Sequence, residues 1–112
     1  MDKFYLYKSD KPAKRYVMVM GDPYNHKHYF SSSQHENYTI HKDPRRAEAY
    51  RSRHRNDPID NVHSPGALAW YITWSRPTLA GGIREYEKRF GVEVVDRSKQ
   101  VYSKGTLLRN KK

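Results

Sequence analysis

Proline-punctuated helix starts constrain this chain more tightly than any other feature. Asp43-Pro44 and Ser64-Pro65 each put a short oxygen-bearing side chain in front of a proline. The oxygen can accept an orphan amide of the first turn, and proline suits the first helical position, where no amide hydrogen is needed. Pro77-Thr78 breaks one helix and caps the next. Three helices are therefore expected, and their apolar spacing can be read directly.

In the first helix Ala47, Tyr50 and His54 recur at three and four and share a face. Arg45, Arg46 and Arg53 line one flank of that face, and Arg51 and Arg55 line the other. Asn56-Asp57-Pro58 stops it. The second helix, from Pro65 to about Ser75, groups Leu68, Tyr71, Ile72 and Ser75, with Trp70 and Trp74 on the neighbouring side. It carries no charge before Arg76, the mark of a buried helix. The third repeats Leu79, Ile83, Tyr86 and Phe90 at four, three and four, and Gly91 is a natural left-handed terminator. Gly81 and Gly82 in its first turn cost roughly 1 kcal/mol each relative to alanine, which points to close backbone approach by the tryptophan helix. The expected helical core is Tyr50, Leu68, Trp70, Ile72, Trp74, Leu79, Ile83, Tyr86 and Phe90.

The first third reads as β. Residues 4 to 7 alternate as a short strand. Tyr16 to Met20 is a strand-length apolar run, ended by Gly21-Asp22-Pro23 and Asn25, and His28 to Ser31 returns as the second arm of a hairpin. Ser31 to Asn37 reads as a polar loop. Val92, Val94 and Val95 predict a late strand, Val101-Tyr102 a further one, and Leu107-Leu108 a last apolar anchor. The fold class is α+β: an N-terminal β-hairpin packed on about three short helices, with a short C-terminal β segment. One domain is expected over residues 1–96, followed by an extended basic arm over residues 97–112.

With 112 residues, 36% hydrophobic and 30% charged, the chain has little apolar surface to bury. Ten tyrosines and two tryptophans must carry much of the packing, and so light a core implies a partner that completes its stability. The absence of cysteine excludes disulfides and thiolate zinc sites. No apolar run approaches the roughly 20 residues of a bilayer span, so no transmembrane segment is expected, nor a secretory signal.

The net charge is +10, and its placement matters more than its size. Pro44 to Arg55 holds five arginines against Glu48, giving +4, and Arg97 to Lys112 holds six basic residues and no acid, giving +6. Charge focused in this way attracts polyanions or acidic surfaces. The candidate anion-binding residues are Arg45, Arg46, Arg51, Arg53, Arg55, Arg97, Lys99, Lys104, Arg109, Lys111 and Lys112. The alternative is an ordinary salt-bridged surface, with the arginines paired to Glu85, Glu87, Asp57 or Asp60.

Catalytic and metal chemistry find no constellation. His26 and His28 could share a strand face, but only His35 and His41 are available as further ligands. Asp43 is better used as a helix cap than as a partner of His41, which is expected to bond locally or pack on Tyr38. Gly81-Gly82 lacks the lysine and preceding strand of a phosphate loop. Ser31-Ser32-Ser33 has no base to activate it. No enzyme activity, metal or cofactor is expected.

The ordered blocks Tyr38-Thr39-Ile40-His41-Lys42-Asp43-Pro44, Arg51-Ser52-Arg53-His54-Arg55, Ser75-Arg76-Pro77-Thr78-Leu79 and Lys88-Arg89-Phe90-Gly91 carry a resemblance. Over roughly residues 15 to 92 the chain resembles an uncharacterised family of small basic proteins of the nucleocytoplasmic large DNA viruses, among chlorella-virus, mimivirus and iridovirus relatives. It departs from the family phrase Trp-Ser-Arg-Trp-x-x-Trp-x-Lys-Pro-Thr-Leu, with Ala69 and Tyr71 in place of other side chains. The resemblance implies a viral protein and brings no activity with it. The expectation is a small basic structural component of a large DNA virus particle, a minor capsid or inner-shell protein. It would dock neighbouring virion proteins through the arginine helix and basic arm, in the virion and, during assembly, in the host cytoplasm. The alternative is a nucleic-acid-binding or packaging protein without sequence specificity, with DNA as partner.

Overall fold

A computed structural model describes residues 2–20 and 26–103. Strands β1 (Lys3–Lys8), β2 (Lys14–Met20), β3 (His26–Ser32) and β4 (Glu93–Val101) form one sheet in the order β3-β2-β1-β4. β1–β2 and β2–β3 are antiparallel, and β4 lies parallel to β1. Helices α1 (Tyr38–His41), α2 (Pro44–Arg53), α3 (Pro65–Leu68) and α4 (Leu79–Phe90) make up the helical layer, and α3 runs on as a π-helical turn over Ala69–Thr73. The fold is α+β, as the sequence predicts. The hairpin turn at Gly21 to Asn25 lies outside the described residues, as do Leu107 and Leu108.

Strict alternation sorts the strand side chains. Phe4, Leu6, Met18, Met20, Phe30 and Val94 face the helices and meet Leu68, Ile72, Ile83 and Tyr86 in the main core. Tyr7, Val17 and Val19 form a smaller cluster on the other face with Tyr102. Successive strand residues point to opposite faces, so both faces are apolar only because both sets are. Each fully buried Leu, Ile or Met contributes roughly 1.5–3 kcal/mol.

Two expectations are corrected. The core is largely a strand core, and of the nine helical residues named only Leu68, Ile72, Ile83 and Tyr86 are buried. Trp74, Leu79 and Phe90 pack against it half-buried, whereas Tyr50 and Trp70 lie outside it. The boundary at residues 96/97 falls inside β4, where Arg97 pairs with Tyr7 and Val101 with Lys8. Residues 97–101 are therefore sheet. Val101 is the last residue of β4 and Tyr102 follows it, so the two form no separate strand.

The caps behave as their chemistry demands. Asp43 accepts from the Arg45 amide, Ser64 from Gly66 and Ala67, and Thr78 from Gly81. Gly91 ends α4 in the left-handed region at φ 65°. A Cβ on Gly82 would lie 2.0 Å from the Ile72 carbonyl oxygen, so the tryptophan segment does press on the α4 backbone. That segment is not a regular α-helix. The Thr73 hydroxyl donates to the Ala69 carbonyl at 2.9 Å and the Ser75 hydroxyl to the Tyr71 carbonyl at 2.5 Å. Hydroxyls that bond back four residues compete with the backbone ladder and favour a widened turn.

Candidate functional site

The five arginines of the α2 segment have different fates. Arg51, half-buried, donates from Nη1 to the Trp74 carbonyl at 2.9 Å and so closes the end of the π turn. Arg46 lies 3.6 Å from Glu36, with about half of each side chain exposed. Arg45, Arg53 and Arg55 are exposed and form no ion pair or side-chain hydrogen bond among the described residues. The carboxylates once open to them are otherwise engaged. Glu85 bonds Arg76, Asp60 bonds Arg89, Asp57 bonds His54 at 2.9 Å, and Glu87 accepts from the Val94 amide at 2.8 Å.

The remaining basic candidates sit elsewhere. Arg97 points to the far face of the sheet, with its guanidinium 5.2 Å above the Tyr5 ring and 3.4 Å from the Tyr7 hydroxyl. Lys99 lies in a bulge, because Ser98, Lys99 and Gln100 fall between the residues paired to Tyr7 and Lys8. α2 lines the cavity together with β3, whereas Arg97 is on β4, at the opposite edge of the sheet, and the two edge strands are about 14 Å apart at three strand spacings. Among the described residues, the structure does not bring Arg97 and Lys99 together with the arginines of α2. Lys104, Arg109, Lys111 and Lys112 lie outside the described residues.

Between α2, the end of β3 and α3 opens a cavity of about 600 Å³. Phe30, Ser31 and Ser32 form one wall, Arg46, Ala49, Tyr50, Arg53 and His54 a second, and Pro65, Gly66, Ala69 and Trp74 the third. Sequence periodicity could not reveal it, since its walls are joined only by tertiary packing. The β3 wall is held by Asn37, which is fully buried and donates to Ser31 Oγ at 3.1 Å while accepting from the Thr39 amide. Arg15 fastens the same loop through the carbonyls of Ser32 and His35. Ser31 itself adopts φ 68°, unusual for a residue other than glycine and a conformation that must be held by its surroundings.

An aromatic column stands beside the cavity. His41, Trp74, Tyr50 and His54 follow one another with ring centroids 5.4, 4.1 and 4.1 Å apart, and Tyr50 lies parallel to Trp74 within 3°. Burial pushes the Tyr50 phenol up to about 12, with the Asp57 charge adding and Arg53 opposing. Both faces of Tyr50 are thus taken by neighbouring rings, and one face of Trp74 is stacked on Tyr50 while His41 stands tilted beside it at 54°. His41 takes both of its expected roles: its ring lies 6.2 Å from Tyr38, and Nδ1 accepts from the Asp43 amide at 2.9 Å. The short α1 escaped the sequence reading, although Asn37 followed by Thr39 is a legible cap.

Among the described residues no helix is long and apolar enough to cross a membrane, and no group of three or more His, Cys, Asp or Glu is placed to hold a metal. No curated protein and no solved structure matches the chain. Residues 5–54, from β1 through α2, are similar to a family of unknown function, DUF5754.

Proposed function

We propose that the protein is a non-catalytic docking subunit, a small basic structural component of a large DNA virus particle that seats an acidic neighbour against α2. One observation carries this reading: Arg45, Arg53 and Arg55, on and just after one short helix, are exposed and form no ion pair among the described residues. Unspent guanidinium groups on a rigid helix suit carboxylate or phosphate partners, which they bind in forked geometry. The viral setting rests on the sequence resemblance alone.

The test is incorporation. A tagged wild-type chain expressed in particle-producing cells copurifies with the shell, and an Arg45→Glu/Arg53→Glu/Arg55→Glu chain does not. Equal incorporation of the two would overturn the reading.

The same three arginines favour a second reading, nucleic-acid binding without sequence readout. Base stacking gains no support from Tyr50, which is already sandwiched between His54 and Trp74. Three phosphate contacts would give a salt slope of about 2.7, so a rise from roughly 50 to 200 mM salt weakens duplex binding about fortyfold. A titration without that dependence removes nucleic acid as the partner.

A further inference from the structure

Charge balance around the cavity is uneven in an informative way. Glu36 faces Arg46, and Asp57 is hydrogen-bonded to His54, so each carboxylate already has a partner beside it. Lys14 and Arg53 also line the cavity, and neither forms an ion pair among the described residues. Two cations without an ion pair on one cavity suit an anionic group such as a phosphate. Two hydroxyls stand beside them. Ser31 Oγ accepts from Asn37 and Ser32 Oγ from the Gln34 amide, which leaves both O–H groups available as donors. Phe30, Ala49, Tyr50, Ala69 and Trp74 supply the apolar part of the lining. A volume of about 600 Å³ suits a small organic molecule and is more than a bare anion needs. The two backbone irregularities, the left-handed Ser31 and the π turn through Ala69, both fall on this lining, and such features gather at binding sites.

We infer that this cavity binds a small organic phosphate monoester, with its phosphate between Lys14, Arg53 and the Ser31 and Ser32 hydroxyls and its ring against Phe30, Ala49 and Ala69. The inference goes beyond the docking face of α2. It requires no macromolecular partner.

Phenyl phosphate is the probe, titrated calorimetrically into the full chain, with inorganic phosphate and phenol as its two halves. Phenyl phosphate binds at least about tenfold more tightly than either half, and Arg53→Ala or Lys14→Ala weakens it about tenfold, as expected for loss of a charge-assisted bond. Ala49→Trp fills the cavity without altering any charge and abolishes binding. As a measurement that needs no variant, the methyl resonances of Ala49 and Ala69 shift on addition of phenyl phosphate to the wild-type chain. Affinity no better than that of inorganic phosphate, or unmoved methyl resonances, would overturn the site. So would undiminished binding by a folded Ala49→Trp chain.

Discussion

A methyl group added at position 82 has no space, since 2.0 Å separates it from a backbone oxygen that no rotamer can move. Gly82→Ala is expected to cost about 3 kcal/mol, the upper range for overpacking, read as a lower urea midpoint. Gly81→Ala meets mainly the Thr78 and Arg76 side chains and should cost less. Arginines four residues or fewer apart likewise separate by role. Arg51→Ala strands the Trp74 carbonyl and should lose about 1–2 kcal/mol, whereas Arg53→Ala should stay within about 0.5 kcal/mol. Histidine contributes a pH dependence. Nε2 of His28 and of His41 is buried without a partner. Burial holds both rings below the usual histidine range, aided at His28 by His63 and His26. At His41 it is aided by Arg46 and opposed by Asp43 and Glu36. The unfolded chain therefore binds protons that the folded chain refuses, so stability is full at neutral pH and declines as pH drops below about 6.5. Melting temperatures at pH 7.5 and 5.0 should show that decline, and His28→Phe should shrink it.

Helix starts were legible because caps are local. Asp43, Ser64, Thr78 and Gly91 each act within four residues, and each sits where its chemistry placed it. The irregular turn at Ala69–Thr73 was hidden, because threonine and serine read as ordinary helix residues until their hydroxyls are seen bonding backward. Trp70 and Trp74 were consequently assigned one shared face, and only Trp74 joins the aromatic column. Thr73 is fully buried, so Thr73→Val keeps its shape and removes its bond. A loss of about 1 kcal/mol in chemical denaturation is expected. The arginine flanks were legible as a pattern, but periodicity cannot tell which guanidinium will find a carbonyl and which will stay in water.

The molecule as a whole is closed by a pairing that no local signal announces. Residues 3–8 lie beside residues 93–101, and the basic residues Arg97 and Lys99 hid the continuation of the strand that Val94 and Val95 announce. Ending the chain after residue 92 removes β4, strips the outer edge of β1 and uncovers the core beside Val94. Loss of cooperative urea unfolding is the expected result, and a retained sharp transition would mean the body stands without its last strand. The cavity was equally out of reach of sequence reasoning, since Lys14, Arg53 and Ala69 share it only after the sheet and helices have met.

The parallel β1–β4 pair also sets a timetable for biosynthesis. β1 emerges first, and its partner is made about 85 residues later, roughly 4–17 s at 5–20 residues per second. Throughout that interval a nascent chain carries one strand with a bare row of amides and carbonyls, the kind of template that recruits strangers. Yield in a heterologous host should therefore depend on translation speed and on chaperones that shield the unfinished sheet.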